Sequence, residues 1–320
     1  MMKRYETYKD SGIEWIGEIP PEWQVLNFRY VISILTDYTA NGSFATLAKN
    51  VNYLKKGYSR LIRLTDIRKE LANDGIYVSE DAHNFLAKSE LFGEEILLAN
   101  VGAYSGYSFK LPKLKEPATL GPNMFLLKWE EKLDNDYSYY SLISYYLSSQ
   151  LINKAVSSAQ PKLNKDDVKS CSFILPPLQD QLKIVSYLDH QTTQIDQLIT
   201  KKEKLVELLQ EQRQAIIHEA VTKGLDPKVK MKDSEIEWLG EIPEGWQLVP
   251  IRYLTEKVGS GVTPKGGANV YVEDGVVFIR SQNVYFDGLR LDDVVKIDSE
   301  THEKMSGSKV YFNDVLLNIT

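Results

Sequence analysis

The sequence has almost no cysteine. Cys171 stands alone among 320 residues, which excludes an internal disulfide and any zinc site built from several cysteines. Nor is there an apolar run of the length a bilayer crossing needs, about 18 residues or more, so no membrane-spanning helix is expected. The first residues, Met1-Met2-Lys3-Arg4-Tyr5-Glu6, lead into polar sequence and not into the hydrophobic core of a signal peptide. Histidine is sparse, and His83, His190, His218 and His302 lack the helical His–x3–His spacing of a metal site. There is no Walker loop. Gly259-Ser-Gly261 has neither the third glycine nor the strand-to-helix setting of a dinucleotide fold and reads as a turn. The Asp/Asn-Pro-Pro-Tyr motif with which amino-methyltransferases hold a flipped base is missing, and Pro176-Pro177 has neither flank. The acidic pairs Glu94-Glu95 and Asp166-Asp167 show no specific partner and read as solvated surface. These absences lead us to expect a soluble cytoplasmic protein with no metal, no cofactor and no catalytic residue of its own.

What is present suffices for two domains with real cores, since 43% of residues are hydrophobic and 11% aromatic. The net charge of −6 argues at first against a polyanionic partner. Its distribution says more. Residues 1–175 balance to zero, as do residues 176–231, so the whole excess lies in residues 232–320 with nine basic and fifteen acidic side chains. Within the first stretch Lys49, Lys55, Lys56, Arg60, Arg63, Arg68 and Lys69 face only Asp66, a local +6 between Lys49 and Lys69. Such a run suits a polyanion, and it equally suits a solvated loop or hairpin.

An internal repeat organises the chain. Lys9-Asp-Ser-Gly-Ile-Glu-Trp-Ile-Gly-Glu-Ile-Pro20 returns as Lys232-Asp-Ser-Glu-Ile-Glu-Trp-Leu-Gly-Glu-Ile-Pro243, and most positions from 9 to 30 recur unchanged at an offset of 223. Weaker echoes follow. Leu61-Ile-Arg-Leu-Thr-Asp-Ile67 resembles Phe278-Ile-Arg-Ser-Gln-Asn-Val284, and Phe92-Gly-Glu-Glu-Ile-Leu-Leu98 resembles Tyr311-Phe-Asn-Asp-Val-Leu-Leu317. So long a period is foreign to a solenoid and means two domain-sized units in tandem, the second incomplete at Thr320.

Between the units the texture changes. Pro176-Pro177 closes the strand-like run Cys171-Ser-Phe-Ile-Leu175, and from Leu178 to Thr222 there is neither glycine nor proline. Leu188, Ile195, Leu198, Leu205, Leu209 and Ile216 recur as one apolar stripe, and Lys223-Gly224 supplies the terminating signal. The pattern predicts a helix of about 45 residues, roughly 68 Å long at about 1.5 Å per residue. Its stripe needs a partner helix, from another part of the protein or from another chain, although Gln191, Lys202 and Gln212 break a perfect zipper. The alternative is a helical linker folded back on a domain. The first unit itself reads as mixed α and β. Strands are expected at Arg60–Leu64, Glu95–Leu98 and Met124–Trp129. A helix is expected from Tyr137 to Val156, with Tyr140, Ile143, Leu147, Leu151 and Ala155 facing the core. Two loops draw notice. Asn100-Val-Gly-Ala-Tyr-Ser-Gly-Tyr-Ser108 joins glycines, hydroxyls and two tyrosines ahead of Lys110, a mixture able to bond phosphates and base edges, and a plain hairpin loop explains it equally well. Gln160-Pro-Lys-Leu-Asn-Lys165 is polar and basic, and helix capping by Asn164 explains it equally well.

Taken together, Gln160-Pro-x-Leu-Asn164, Leu175-Pro-Pro-Leu178, Gln181, Ile184-Val185, Tyr187-Leu188, Ile195-Asp196, Glu211-x-Arg213 and Ala220-Val-Thr-x-Gly224 resemble the central region of type I restriction–modification specificity subunits. The repeated Gly-Ile-Glu-Trp-Ile-Gly-Glu-Ile-Pro opening resembles the same family. One departure is Asp180, where the family's motif has Glu. The resemblance implies an α+β chain with a target recognition domain over 1–176, a spacer helix over 177–226 and a truncated second recognition domain over 227–320. It also implies a non-catalytic reader of a bipartite DNA site. Modification subunits would methylate adenine with S-adenosylmethionine, and a restriction subunit would use ATP and Mg2+. On the residues, Lys49, Lys55, Lys56 and Arg60 are candidates for phosphate, and Arg63 and Thr65 for base edges, with a buried ion pair the alternative for Arg63. Asn100, Tyr104, Tyr107, Lys110, Gln160, Lys162 and Asn164 complete the expected surface. In the second unit Arg280, Gln282 and Asn283 are candidates. Leu188, Ile195, Leu198, Leu205, Leu209 and Ile216 would pair helices or dock partners, self-association included. The competing reading is a helical scaffold that binds proteins and has no DNA specificity.

Overall fold

The computed structural model describes residues 5–13, 15–155 and 161–319. The chain divides into two compact units, Met1–Val206 and Glu207–Thr320. The division falls inside the long helix.

The first unit is built on two four-stranded sheets. In one, strand Met124–Trp129 lies between Ile32–Asp37 and Ile96–Ala99, with Ser108–Lys110 at the edge, all antiparallel. In the other, Ala118–Leu120 pairs parallel with Ser59–Ile62 and antiparallel with Glu90–Leu91, and Tyr77–Val78 flanks Ser59–Ile62. The near-continuous apolar runs of the central strands follow from burial on both faces. Alternation sends Ile96, Leu98, Phe125 and Leu127 into one core with Phe28, Leu147, Leu151 and Phe173. It sends Leu97, Met124 and Leu126 into a second core with Ile62 and Leu120. Leu61, on the opposite face from Ile62, joins a third core with Tyr38, Leu47 and Val78.

The helix expected over Tyr137–Val156 is two helices, Asn135–Ile143 and Tyr145–Ala155. Ser144 takes extended backbone, φ −69° and ψ 151°, and breaks the periodicity. Leu142 is therefore buried in place of the expected Ile143, which is exposed, whereas Leu147, Leu151 and Ala155 face the core as anticipated. Val156 lies outside the described residues. Cys171 is a packed thiol, and burial pushes it up to about 11.

The long helix runs unbroken from Leu178 to Lys223, 46 residues. Gly224, at φ +77°, accepts the left-handed conformation that ends it, and its N–H donates to the Ala220 carbonyl. The root of the helix is fixed to the first unit. Gln181 is fully buried, its Oε1 accepting the Asp134 N–H at 2.8 Å and its Nε2 donating to the Lys132 and Pro176 carbonyls at 2.9 Å. Val185 is buried and Ile184 packs on the core beside it. Asp180, where the family's motif has Glu, accepts from Tyr5 Oη, Trp23 Nε1 and Lys183 Nζ. Partial burial pushes its carboxyl up, but those three donors outweigh it and hold it below the ordinary carboxylate value. Among the described residues no helix is long and apolar enough to cross a membrane.

The second unit repeats the local geometry of the first at all three echoes. Lys9↔Ile19 and Asp10↔Glu18 have their counterparts in Lys232↔Ile242 and Asp233↔Glu241. In both hairpins a serine N–H meets a glycine carbonyl at 2.9 Å, Ser11 to Gly17 and Ser234 to Gly240. An aspartate also accepts the N–H two residues on, from Gly12 to Asp10 and from Glu235 to Asp233. The copies differ where Gly12, at φ +72°, is replaced by Glu235 at φ +59°. A Cβ at Gly12 meets nothing within 4 Å, so backbone conformation alone separates the two. Glu235→Gly is accordingly expected to stabilise the second unit by about 0.5–1 kcal/mol net, the left-handed penalty less the added chain entropy. A thermal melt of the variant checks this, and an unchanged or lowered midpoint refutes it.

Candidate nucleic-acid interface

In the first unit the sharp turn after strand Ser59–Ile62 is organised by one buried carboxylate. Asp66 accepts the Arg63 backbone N–H at 2.9 Å, both ends of the Arg63 guanidinium fork at 2.9 Å, and Asn73 Nδ2 at 2.6 Å. Burial pushes its carboxyl up, yet these donors prevail and hold it below the ordinary value. The second unit uses the same box with an amide. Asn283 Oδ1 accepts the Arg280 N–H at 3.0 Å, and Arg280 has φ −112° and ψ 165° against −109° and 163° at Arg63. The third echo is a turn of the same kind. Glu95 accepts the N–H of Phe92 and Asp314 that of Tyr311, both at 2.8 Å, with Glu94 and Asn313 left-handed between them. Glu95 and Asp167 thus have specific partners, Asp167 accepting the Asn164 N–H, which corrects the expectation of solvated acidic pairs.

The two noted loops come together. Val101 bridges Lys162, the Gly102 N–H donates to the Pro161 carbonyl, the Leu163 N–H donates to the Asn100 carbonyl, and Ser105 Oγ donates to the Pro161 carbonyl. On this joined surface Tyr104 and Tyr107 meet edge to face at 5.8 Å. The Arg68 guanidinium lies 4.1 Å from the centre of the Tyr104 ring. Lys162 and Tyr107 are exposed beside them, and Thr65 is exposed on the short helix Leu64–Ile67. Lys49, at the end of helix Phe44–Asn50, and Lys55 and Lys56, in the following loop, are exposed as well.

Other expected contacts are turned inward. Arg60 is buried, donating to the Leu71 and Asn73 carbonyls and to Asn73 Oδ1 with Glu116 at 3.9 Å. This corrects its assignment to phosphate, because its fork is already engaged by the 71–73 turn. Arg63 takes the alternative of an ion pair. Asn283 is buried with Nδ2 donating to the Arg290 and Asp293 carbonyls, which corrects the expectation that it reads adenine. Asn100 is buried, with its backbone holding the two loops together. Lys110 is ion-paired with Asp136. Burial pushes its ammonium down, but Asp136 outweighs that and raises it, so it stays charged and locally neutralised. Asn164 is the N-cap residue of helix Lys165–Lys169, in line with the capping explanation of its loop. Gln160 lies outside the described residues. In the second unit Gln282 is exposed, 3.4 Å from Asp293, and Arg280 is half-buried with Nη2 on the Asp293 carbonyl. Leu188 is half-buried, while Ile195, Leu198, Leu205, Leu209 and Ile216 are all exposed along the long helix. Among the described residues no group of three His, Cys, Asp or Glu side chains is placed to hold a metal ion.

Sequence reasoning missed Arg68 as a member of the surface, and in the second unit Arg290, whose guanidinium lies 3.8 Å from the centre of the Tyr285 ring. The signal available for Arg68 was its place in the basic run; nothing pointed to a tyrosine from a distant loop beneath it.

Known proteins similar to this chain fall in one group. The putative type I restriction enzyme MjaX specificity subunit of Methanocaldococcus jannaschii is 25% identical over 293 residues, covering 87% of this chain and 65% of that protein. The type I restriction enzyme EcoBI specificity subunit of Escherichia coli is 27% identical over 318 residues, covering 97% of this chain and 63% of that protein. The chain thus spans less than two thirds of the length of these relatives. A solved structure described as "Structural basis underlying complex assembly and conformational transition of the type I R-M system" shares the fold, with a TM-score of 0.50 at 20% identity over 65% of this chain and 47% of that one. Residues 33–208, more than half of the chain, match the type I restriction modification DNA specificity domain, and the chain belongs to that family.

Proposed function

We propose that this chain reads a bipartite duplex DNA site for a type I restriction–modification complex and leaves the chemistry to partner subunits. The observation that carries the reading is the recurrence of one local frame in two units, with an unbroken 46-residue helix running between the repeats. Two copies of a reader on one stiff spacer convert protein length into a fixed spacing between half-sites. The exposed Lys49, Lys55, Lys56 and Lys162 supply sequence-independent phosphate contacts, and the loop surface around Tyr104 faces the bases. The half-exposed stripe from Ile195 to Ile216 pairs with a second long helix, in the same protein or in another copy, and receives the modification subunits. In this reading S-adenosylmethionine belongs to the modification subunits, ATP and Mg2+ belong to the restriction subunit, and the assembly works in the cytoplasm.

The test is co-expression with the cognate modification subunit, followed by mapping of methylated adenines with and without this chain. A split motif that appears only with the chain is the expected result. Binding of the purified complex to duplexes carrying that motif should weaken steeply as salt rises, because phosphate contacts release counterions. An unchanged adenine methylation pattern, or no duplex affinity even at low salt, would overturn the proposal and favour a protein-binding scaffold.

A further inference from the structure

We infer that the base-reading element of each unit is an arginine stacked on a tyrosine directly behind the buried box, Arg68 on Tyr104 in the first unit and Arg290 on Tyr285 in the second. The inference rests on the DNA-reading function proposed above. It starts from what the arginines that open the two boxes, and Arg60 on the strand before the first, are doing. Arg60 and Arg63 are consumed by the turn they build, and Arg280 by the Asp293 carbonyl. Arg68 is exposed, and among the described residues no carboxylate lies within ion-pairing distance of it. Arg290 has one, Asp287 at 3.6 Å, but both side chains are more than half exposed, a kind of pair that holds weakly.

Stacking on a ring fixes the plane of a guanidinium while leaving its fork of N–H donors outward. A preset plane loses less rotational freedom on forming two parallel hydrogen bonds. That is the requirement for bidentate recognition of guanine O6 and N7 in the major groove, the commonest specific contact of arginine. The same fork fits a phosphate too, but in the first unit exposed lysines are available for that sequence-independent contact.

The comparison of the two units adds a second argument. At the head of the box Arg63 and Arg280 share backbone angles to within a few degrees, and behind it the two units part. Ile67 completes the first unit's short helical turn and Arg68 caps it, whereas Val284 and Tyr285 pair with Gly288 and Leu289 in a hairpin. The stacked arginine therefore arrives by two different routes on a common frame. Two readers of unlike half-sites need that combination of a constant support and a divergent tip.

The experiment uses the chain with its modification subunit and reads methylated motifs for Arg68→Gln, Arg290→Gln, Tyr104→Phe and Tyr104→Leu. Arg68→Gln should make one G·C position degenerate in one half of the motif, and Arg290→Gln one position in the other half. Discrimination at that position should fall about 5- to 150-fold while the remaining bases stay fixed. Tyr104→Phe keeps the ring and should leave the motif unchanged, whereas Tyr104→Leu should relax the same position as Arg68→Gln. Both arginines are exposed, so melting of the variants should match the parent. An unchanged motif in the arginine variants, a uniform decline at all positions, or relaxation of the same half by both overturns the inference. A parent complex that writes no motif at all overturns the functional reading, and the inference with it.

Discussion

Asp66→Asn is expected to lower the stability of the first unit by about 1.5–3 kcal/mol, the range for hydrogen bonds made to a charged group. Every neighbour of this carboxylate is a donor: the Arg63 N–H, Arg63 Nε and Nη2, and Asn73 Nδ2. An amide there can accept the backbone N–H with its one oxygen, but its nitrogen must then face another donor. Arg63 is about one third exposed and can turn to water, which keeps the cost below that of a fully buried broken pair. The sign of the pH dependence follows. A carboxyl held below its ordinary value contributes stability that is complete above the unfolded value, near 3.9, and is lost as pH falls through the lower folded value. The gap between parent and variant should thus be full at neutral pH and close in acid. Asn283→Asp, by contrast, would set a carboxylate against the Arg290 and Asp293 carbonyls that the Asn283 amide now bonds. It too should destabilise, although it offers a partner to the buried Arg280 Nε. Urea unfolding of both variants at pH 7 and pH 3.5 would check these signs. Parent-like stability of Asp66→Asn at pH 7 would refute the account.

How much of this could be read beforehand depends on the range of the interaction concerned. The long helix was legible because its cause is local: no glycine or proline from 178 to 222, a periodic stripe, and Lys223-Gly224 at the end. The tandem echoes were legible because identity along a chain needs no geometry, and all three return as matching turns. The two candidate loops were singled out separately, but their union through Val101 and Lys162 joins segments too far apart for any window on the sequence to contain both. The basic run misled for a related reason. Charge density marks seven side chains alike, yet Arg60 lies on a strand whose four residues are all buried and turns inward to close the 71–73 turn. Arg68, further along the same run, stands clear on a ring from another loop. The break at Ser144 was hidden because serine neither demands nor forbids a helix; the packing of Leu142 and Leu147 on one core decides it.

Gln181→Met should cost about 2–4 kcal/mol, because it keeps the volume and leaves one N–H and two carbonyls buried without partners. The Asp134 N–H, the Lys132 carbonyl and the Pro176 carbonyl come from the loop before helix Asn135–Ile143 and from the turn before the long helix. One side chain therefore keys the root of the spacer into the first unit. Asp180, one residue earlier, makes three hydrogen bonds of its own, but two of its partners, Tyr5 and Lys183, are exposed, so those bonds are worth little. Asp180→Asn should accordingly shift the melt only slightly. If the spacer sets the distance between half-sites, loosening its root matters more than the lost stability alone. Below the melting temperature Gln181→Met should still bind duplex DNA, but it should tolerate motifs whose gap is one base pair longer or shorter. Asp180→Asn should keep the parent's spacing. Measuring binding to duplexes of varied gap length separates the two effects. A Gln181→Met protein that melts early yet holds the parent's strict spacing would show that register is kept elsewhere along the helix.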